Sequence, residues 1–64
     1  MTKLEMIRRE RGMTQKALAE AAGVSQPFIH DLENGNRNAK PETLACIAAA
    51  LGCTIDELYE RKEG

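Results

Sequence analysis

The side chains best suited to chemistry in this 64-residue chain are amides and one imidazole near two predicted helix starts. Gln15 follows Thr14, Gln26 follows Ser25, and His30 lies about one helical turn after Gln26. A side-chain amide beside the free N–H groups of a helix start forms a ready site for an anion or another polar partner. These residues therefore favour recognition of a ligand by hydrogen bonding.

Catalysis and metal binding are disfavoured by the same composition. The chain has one His and two Cys, no Ser/His/Asp or Cys/His arrangement at a plausible site, and no Gly-rich phosphate loop. The spacing of Cys46, Cys53 and His30 does not resemble a zinc site. We expect no enzyme activity, no cofactor and no metal. Free thiols without a signal peptide or transmembrane run predict a cytoplasmic protein without membrane contact.

The elements that position these amides form a predicted helix-turn-helix over residues 15–34. Residues 15–22 are strong helix formers, and residues 26–34 carry apolar side chains at helical spacing. Between them Gly23 supplies positive φ and Ser25 an N-cap. Ala19 is small enough for two helices to meet closely over a short turn.

The remaining segments predict three more helices. The first ends near Gly12, with Arg8, Arg9 and Arg11 suited to the dipole of its last turns. The fourth covers residues 41–51, and a Thr54–Glu57 capping box opens a short fifth helix. We expect one compact, all-α, five-helix domain over residues 1–64.

Charge is unevenly distributed although the whole chain is nearly neutral at −1. Residues 1–41 hold seven Lys or Arg and five acids, whereas residues 42–64 hold two Lys or Arg and five acids. A mildly basic face fits phosphate contact on one side of the domain. Solvated faces of mixed charge explain the pattern equally well.

Four linked motifs resemble a known family. They are Arg-x-x-x-Gly-Met-Thr-Gln at 8–15, Leu-Ala-x-x-Ala-Gly-Val-Ser at 18–25, Ile-x-x-Leu-Glu-Asn-Gly at 29–35, and Glu-Thr-Leu-x-x-Ile-Ala-x-Ala-Leu-Gly-x-Thr-x-Asp-Glu-Leu at 42–58. In this order they resemble the lambda-repressor-like, Cro/C1-type (xenobiotic response element) helix-turn-helix family. The resemblance implies that the third predicted helix (helix 3, residues 26–34) lies in the DNA major groove and that the second (helix 2, residues 15–22) crosses the DNA backbone.

By this resemblance the outer face of helix 3 contacts DNA bases. The candidates are Gln26, Pro27, Phe28, His30 and Asp31. The Gln26 amide can pair with adenine N6 and N7. His30 is either a donor to guanine or phosphate or a plain surface residue, and Asp31 either accepts from cytosine N4 or has a surface role only.

Two positions of helix 3 depart from the family pattern. Pro27 stands where the family often has a polar base reader, and it offers no hydrogen bond, although its missing N–H is harmless in a first turn. Phe28 stands where the family usually has a small polar residue. Its ring either contacts a thymine methyl group or folds back over Leu32 as part of the core.

Phosphate contacts are implied for residues around the base-reading face. The candidates are Gln15, Lys16, Asn34, Asn36, Arg37 and Asn38, with Lys40 a weaker one. For each Lys a solvated side chain is an equal alternative. The resemblance also implies an ion pair between Arg8 and Glu33 that ties helix 1 to helix 3.

The family's isolated domains often dimerise after helix 4. Here that region includes Cys53, Thr54, Ile55 and Tyr59. On the outward face of helix 4, Ala45, Cys46 and Ala49 form an apolar strip that would meet a second copy or another protein, or simply reflects an Ala-rich helix.

The resulting hypothesis is a sequence-specific, double-stranded DNA-binding transcriptional regulator. We expect a repressor that binds a pseudo-palindromic operator as a homodimer. The alternative is a protein-interaction module, such as an antitoxin-like or anti-repressor subunit with weak or secondary DNA binding. No ligand-binding domain is expected after residue 64, so an effector would act through this domain or a partner.

Overall fold

A computed structural model describes residues 2–58, and all regular structure in that range is helical. The helices are α1 (Thr2–Glu10), α2 (Gln15–Ala22), α3 (Gln26–Glu33), α4 (Pro41–Leu51) and α5 (Ile55–Leu58). The predicted five-helix, all-α architecture is confirmed. That the whole of residues 1–64 forms one domain stays a prediction.

Local capping signals explain where α2 and α3 begin and end. Thr14 Oγ1 accepts the Ala17 N–H at 3.0 Å, and Ser25 Oγ accepts the Phe28 N–H at 3.2 Å. Gly23 has φ of 76°, a left-handed conformation that costs Gly little because it has no Cβ. These contacts fix the two helices of the predicted helix-turn-helix around a short turn.

The core is built from one face of each helix. α2 packs against both α3 and α4, while α1 packs against α3 and α5. The fully buried large side chains are Leu4, Leu18, Ile29, Leu32, Leu44, Ile47 and Leu58. Each contributes about 1.5–3 kcal/mol by leaving water. Ala19 is 3% exposed, so its small side chain lies at the packed junction as predicted.

Two helix ends differ from the sequence-based boundaries. α3 ends at Glu33 rather than Asn34, because Asn34 takes the C-cap position and its N–H reaches the His30 carbonyl. α1 ends at Glu10, so Arg11 lies in the following turn and outside the helix. The Arg11 Nε–H donates to the Leu51 carbonyl at 2.8 Å. Because the last carbonyls of a helix have no intrahelical partner, Arg11 caps α4 rather than serving the dipole of α1.

Candidate nucleic-acid interface

The outer face at the start of α3 carries the predicted base-contacting residues. Gln26, Pro27 and His30 are exposed, whereas Phe28 and Asp31 are half-buried. Pro27 lies in the first turn, where its missing N–H leaves no intrahelical bond unmade. The next residue, Ile29, points into the core and is fully buried. The helix therefore divides into an anchored face and a free polar face.

The start of α2 lies beside this free face. A shallow cleft is lined by Gln15 from α2 and by Gln26, Pro27 and His30 from α3. Thr14 occupies one of the free N–H groups at this helix end, and the amides of the first helical residues face the same end. Gln15 and Lys16 are thus placed where a helix N-terminus favours an anion.

A polar network connects α1, α2 and α3 beneath the cleft. The Arg8 guanidinium donates from Nε to Glu33 Oε2 at 2.5 Å and from Nη2 to Glu33 Oε1 at 3.2 Å. Its Nη1 donates to the Met13 carbonyl at 2.8 Å. Both residues are buried, Arg8 with 8% and Glu33 with 5% of its surface exposed. The ion pair implied by the family resemblance is therefore present in the fold.

The same carboxylate also orients Gln15. Gln15 Nε2 donates to Glu33 Oε1 at 2.9 Å. A carboxylate only accepts hydrogen bonds, so the Gln15 amide must turn its nitrogen to Glu33, which leaves its carbonyl oxygen and one N–H for other partners. The hydrogen bond to Glu33 is also the main cause of the raised pKa of Arg8, which opposes the effect of burial.

The residues after α3 form a polar loop, as the sequence predicted. Asn34, Asn36, Arg37 and Asn38 are all exposed. Asn34 Nδ2 lies 3.0 Å from His30 Nε2, so the two side chains can share a hydrogen bond along the helix end. This places Asn34 beside His30, one of the predicted base-contacting residues, while the remaining loop residues are exposed to solvent.

Three predicted DNA-contacting residues meet on the outer side of α3. The Arg37 guanidinium carbon lies 5.3 Å from the centre of the Phe28 ring. Arg37 Nε also lies 3.8 Å from Asp31 Oδ2. Phe28 packs against the core as well, which fits the interpretation that its ring folds back rather than projects. Sequence reasoning treated Arg37, Asp31 and Phe28 separately and missed this cluster.

The predicted dimer region is only partly covered by the described residues. Cys53 and Ile55 are half-buried against the core, Thr54 is exposed, and Tyr59 lies outside the described range. Thr54 N–H donates to Glu57 Oε1 at 2.8 Å, and the Glu57 N–H donates to Thr54 Oγ1 at 3.2 Å, which is the predicted capping box.

Two groups in this region have shifted pKa values. Burial, reinforced by the nearby Glu57 carboxylate, raises the pKa of the Cys53 thiol. Hydrogen bonds from the Thr54 backbone and side chain lower the pKa of Glu57. The raised pKa favours the protonated Cys53 thiol at neutral pH, and the lowered pKa favours the ionised Glu57 carboxylate of the capping box.

The outward surface of α4 carries the predicted apolar strip. Ala45, Cys46 and Ala49 are exposed on α4, as the sequence predicted.

Within residues 2–58, no cluster of three or more His, Cys, Asp or Glu side chains is arranged to hold a metal ion. Over the same residues, no helix combines the length and apolar character needed to span a bilayer.

Residues 4–58 match a family model described as helix-turn-helix. The chain belongs to the Cro/C1-type helix-turn-helix family. This is a family of DNA-binding transcription regulators and not of enzymes, which confirms the predicted family and the predicted class of protein.

Curated relatives in this family are regulators and repressors. The HTH-type transcriptional regulator DdrOP3 of Deinococcus deserti is 41% identical over 61 residues, which cover 95% of this chain and 47% of the relative. The immunity repressor protein of Bacillus phage phi105 is 36% identical over 88% of this chain and 39% of its own length. This chain thus spans about half or less of these relatives.

Solved structures show the same fold. The restriction-modification controller protein C.AhdI from Aeromonas hydrophila is 28% identical, with a TM-score of 0.87, over 91% of this chain and 88% of its own. The clp gene regulator ClgR from Corynebacterium glutamicum is 33% identical, with a TM-score of 0.85, over 89% of this chain and 61% of its own. The five-helix arrangement is therefore shared with regulators of different systems.

Proposed function

We propose that this chain is a sequence-specific, double-stranded DNA-binding repressor that binds a pseudo-palindromic operator as a homodimer. The observation that carries the proposal is the exposed cleft at which Gln15 of α2 meets Gln26, Pro27 and His30 of α3. This is where a helix-turn-helix presents its second helix to the major groove. Repression is proposed because the relative from phage phi105 is named as a repressor, and it is the part of the proposal that the names of relatives support least uniformly, since another relative is named as an activator.

Gln26 is the principal base reader in this proposal. It is exposed at the first position of α3, and no described contact of its side chain restrains the amide from reaching adenine N6 and N7. His30 is exposed one turn later, but its Nε2 lies near Asn34 Nδ2. A base contact by His30 Nε2 would therefore replace an existing hydrogen bond, which makes His30 a weaker reader than Gln26.

Phosphate contacts surround this reader on two sides. Gln15 and Lys16 stand at the N-terminal end of α2, where the helix dipole favours a phosphate. Asn36, Arg37 and Asn38 follow α3 in an exposed loop. Such contacts fix the register of the protein on the duplex but do not read sequence.

Dimerisation supplies a second reading helix about 34 Å away on the next major groove. We place the contact with the second copy at the connection between α4 and α5, through Cys53, Thr54 and Ile55, with Tyr59 beyond the described residues. The half-buried side chains of Cys53 and Ile55 support this surface because they leave apolar area for a partner to cover. Residues 1–64 then act as one domain.

Gln26→Ala is expected to weaken binding to the cognate site by about 1–3 kcal/mol and to change binding to random DNA little. The reason is that the amide contacts base edges and not phosphates. The measurement is the dissociation constant on both duplexes by fluorescence anisotropy. Glu42→Ala, at an exposed position in the first turn of α4, is the matched control and should leave both constants unchanged. Equal losses on cognate and random DNA would remove Gln26 from the readers.

Selection of bound sites from a random DNA pool tests the proposal as a whole. We expect enriched sequences to form inverted repeats whose half-sites are about 10–10.5 base pairs apart, centre to centre. A single unpaired half-site would contradict the homodimer. A pool without any enrichment would contradict sequence-specific recognition.

The protein-interaction alternative is favoured by one observation, the exposed apolar strip of Ala45, Cys46 and Ala49 on α4. If this strip is the main functional surface, the chain should bind DNA weakly or not at all at low salt and should form a stable complex with the product of a neighbouring gene. Binding to DNA at low salt without such a complex would exclude this alternative.

A further inference from the structure

An acidic side chain lies on the face of α3 that the proposed function turns toward DNA. Asp31 follows His30 and has 38% of its side chain exposed. A carboxylate near a duplex is repelled by the phosphates, and the repulsion extends over about 8–10 Å at ordinary salt. Unless its charge is compensated, Asp31 should weaken DNA binding.

Arg37 is placed to provide this compensation. Its Nε lies 3.8 Å from Asp31 Oδ2, and its side chain stays 53% exposed. The guanidinium is therefore close enough to offset the carboxylate and is still open to solvent and to a phosphate. Arg37 belongs to the loop after α3 and not to the helix, so its position depends on a contact that holds the loop side chain in place.

The Phe28 ring supplies this second contact. The Arg37 guanidinium carbon lies 5.3 Å from the ring centre, within the range of a cation–π interaction. Phe28 is itself half-buried and packs against the hydrophobic core, which restrains its ring. An exposed ion pair alone holds a long side chain weakly, whereas the ring offers a rigid platform for the planar guanidinium.

We propose that Phe28 and Asp31 position Arg37 over the outer face of α3, where its guanidinium offsets the Asp31 charge and presents one cation to a DNA phosphate. The inference rests on the proposed DNA-binding function. It assigns Phe28 and Asp31 as positioning residues for Arg37 rather than as base readers. The unusual aromatic residue at position 28 thereby gains a role in backbone contact.

A double-mutant cycle between Arg37 and Asp31 tests the proposal on a random-sequence DNA duplex. Arg37→Gln should weaken binding about twentyfold in the wild-type chain, because it removes a phosphate contact and uncovers Asp31. In an Asp31→Asn background the same change should cost only about fivefold, the effect of the phosphate contact alone. Equal factors in the two backgrounds would overturn the proposal.

A matched pair on α1 serves as the control. Arg9 and Glu5 form a comparable exposed ion pair, with Arg9 Nη2 2.7 Å from Glu5 Oε2. Arg9→Gln should cost the same factor with and without Asp31→Asn, because these residues belong to separate clusters. Coupling between Arg9 and Asp31 as large as that between Arg37 and Asp31 would show a general charge effect and overturn the specific assignment.

The role of Phe28 is tested by two substitutions. Phe28→Tyr keeps the aromatic face and should retain the coupling between Arg37 and Asp31. Phe28→Leu keeps apolar packing but removes the ring, so the coupling should fall toward additivity. Circular dichroism establishes that each variant is folded. Loss of coupling in both variants, or retention in both, would overturn the platform role of the ring.

Proton NMR of the free chain separates this inference from the proposed function. The Arg37 side-chain protons should be shifted upfield by the Phe28 ring current in the wild-type chain and in Phe28→Tyr, but not in Phe28→Leu. An unshifted Arg37 in the wild-type chain would overturn the inference alone. Failure of the wild-type chain to bind any duplex, with the upfield shift present, would contradict the proposed function and the phosphate-contact part of the inference while leaving the positioning intact.

Discussion

Arg8→Ala is expected to lower the free energy of unfolding by about 3–5 kcal/mol, because it leaves the Glu33 carboxylate buried without its cation. Glu33 is only 5% exposed and cannot recover its hydration without local opening of the fold. The Met13 carbonyl also loses the hydrogen bond that Arg8 Nη1 donates. Because small domains are stable by only about 5–15 kcal/mol, this loss removes a large share of the total stability.

Urea denaturation followed by circular dichroism measures this effect. Arg9→Ala is the control, since Arg9 forms an exposed i, i+4 pair with Glu5, which is worth about 0.3–0.5 kcal/mol. Glu33→Gln should also destabilise the fold, because it leaves the Arg8 guanidinium buried without its counter-charge and replaces one accepting oxygen by a donor NH2 group. A denaturation midpoint for Arg8→Ala equal to that of Arg9→Ala would show that the buried pair contributes little.

DNA affinity is expected to fall about a hundredfold between about 50 and 200 mM salt, because Lys and Arg side chains that contact phosphates release salt counterions from the duplex. In the proposed homodimer, Lys16 and Arg37 supply two candidate cations per copy, which predicts a slope of about −3.6 for log affinity against log salt concentration. The amides of Gln15, Asn36 and Asn38 add hydrogen bonds but no counterion release.

The slope is measured by titrating the duplex recovered from site selection at several salt concentrations. Lys16→Gln should reduce the magnitude of the slope by about 1.8, since each copy loses one cation. Arg9→Gln removes an exposed cation that is paired within α1 and should leave the slope unchanged. A flat salt dependence in the wild-type chain would mean that Lys16 and Arg37 do not contact phosphates.

Much of the fold was predictable because its signals are local. Thr14 and Ser25 cap the helices that follow them, and Gly23 and Gly52 end the helices before them with φ of 76° and 72°. Each of these effects depends on a few neighbouring residues, so the sequence alone predicts it. The apolar spacing then predicts which face of each helix is buried.

The long-range polar contacts were not predictable in this way. The Arg11 contact with the Leu51 carbonyl joins residues 40 apart in the chain, and Gln15 meets Glu33 across 18 residues. Arg11, Gln15 and Glu33 are residue types that are common on any protein surface, and Leu51 contributes only its backbone carbonyl. No pattern in the sequence therefore marks either contact. The ion pair between Arg8 and Glu33 was anticipated only because the family resemblance implied it.

The contact between Arg37 and Phe28 shows a different limit. From the sequence, Phe28 could either touch DNA or join the core, and in the structure it lies against the core with a cation over its ring. The direction of a loop side chain depends on the turn that carries it. Residue type alone could not indicate that Arg37 returns to α3.

The division of α3 into two faces has a consequence for how this protein can evolve. Ile29, Leu32 and Glu33 anchor the helix and are buried, whereas Gln26, Pro27 and His30 are exposed. Substitutions at exposed positions usually change stability by no more than about 0.5 kcal/mol. If α3 reads DNA as proposed, duplicated copies of such a gene could acquire new operators by mutation at a few surface positions. The fold would persist, and the old and new regulators would stop competing for one site.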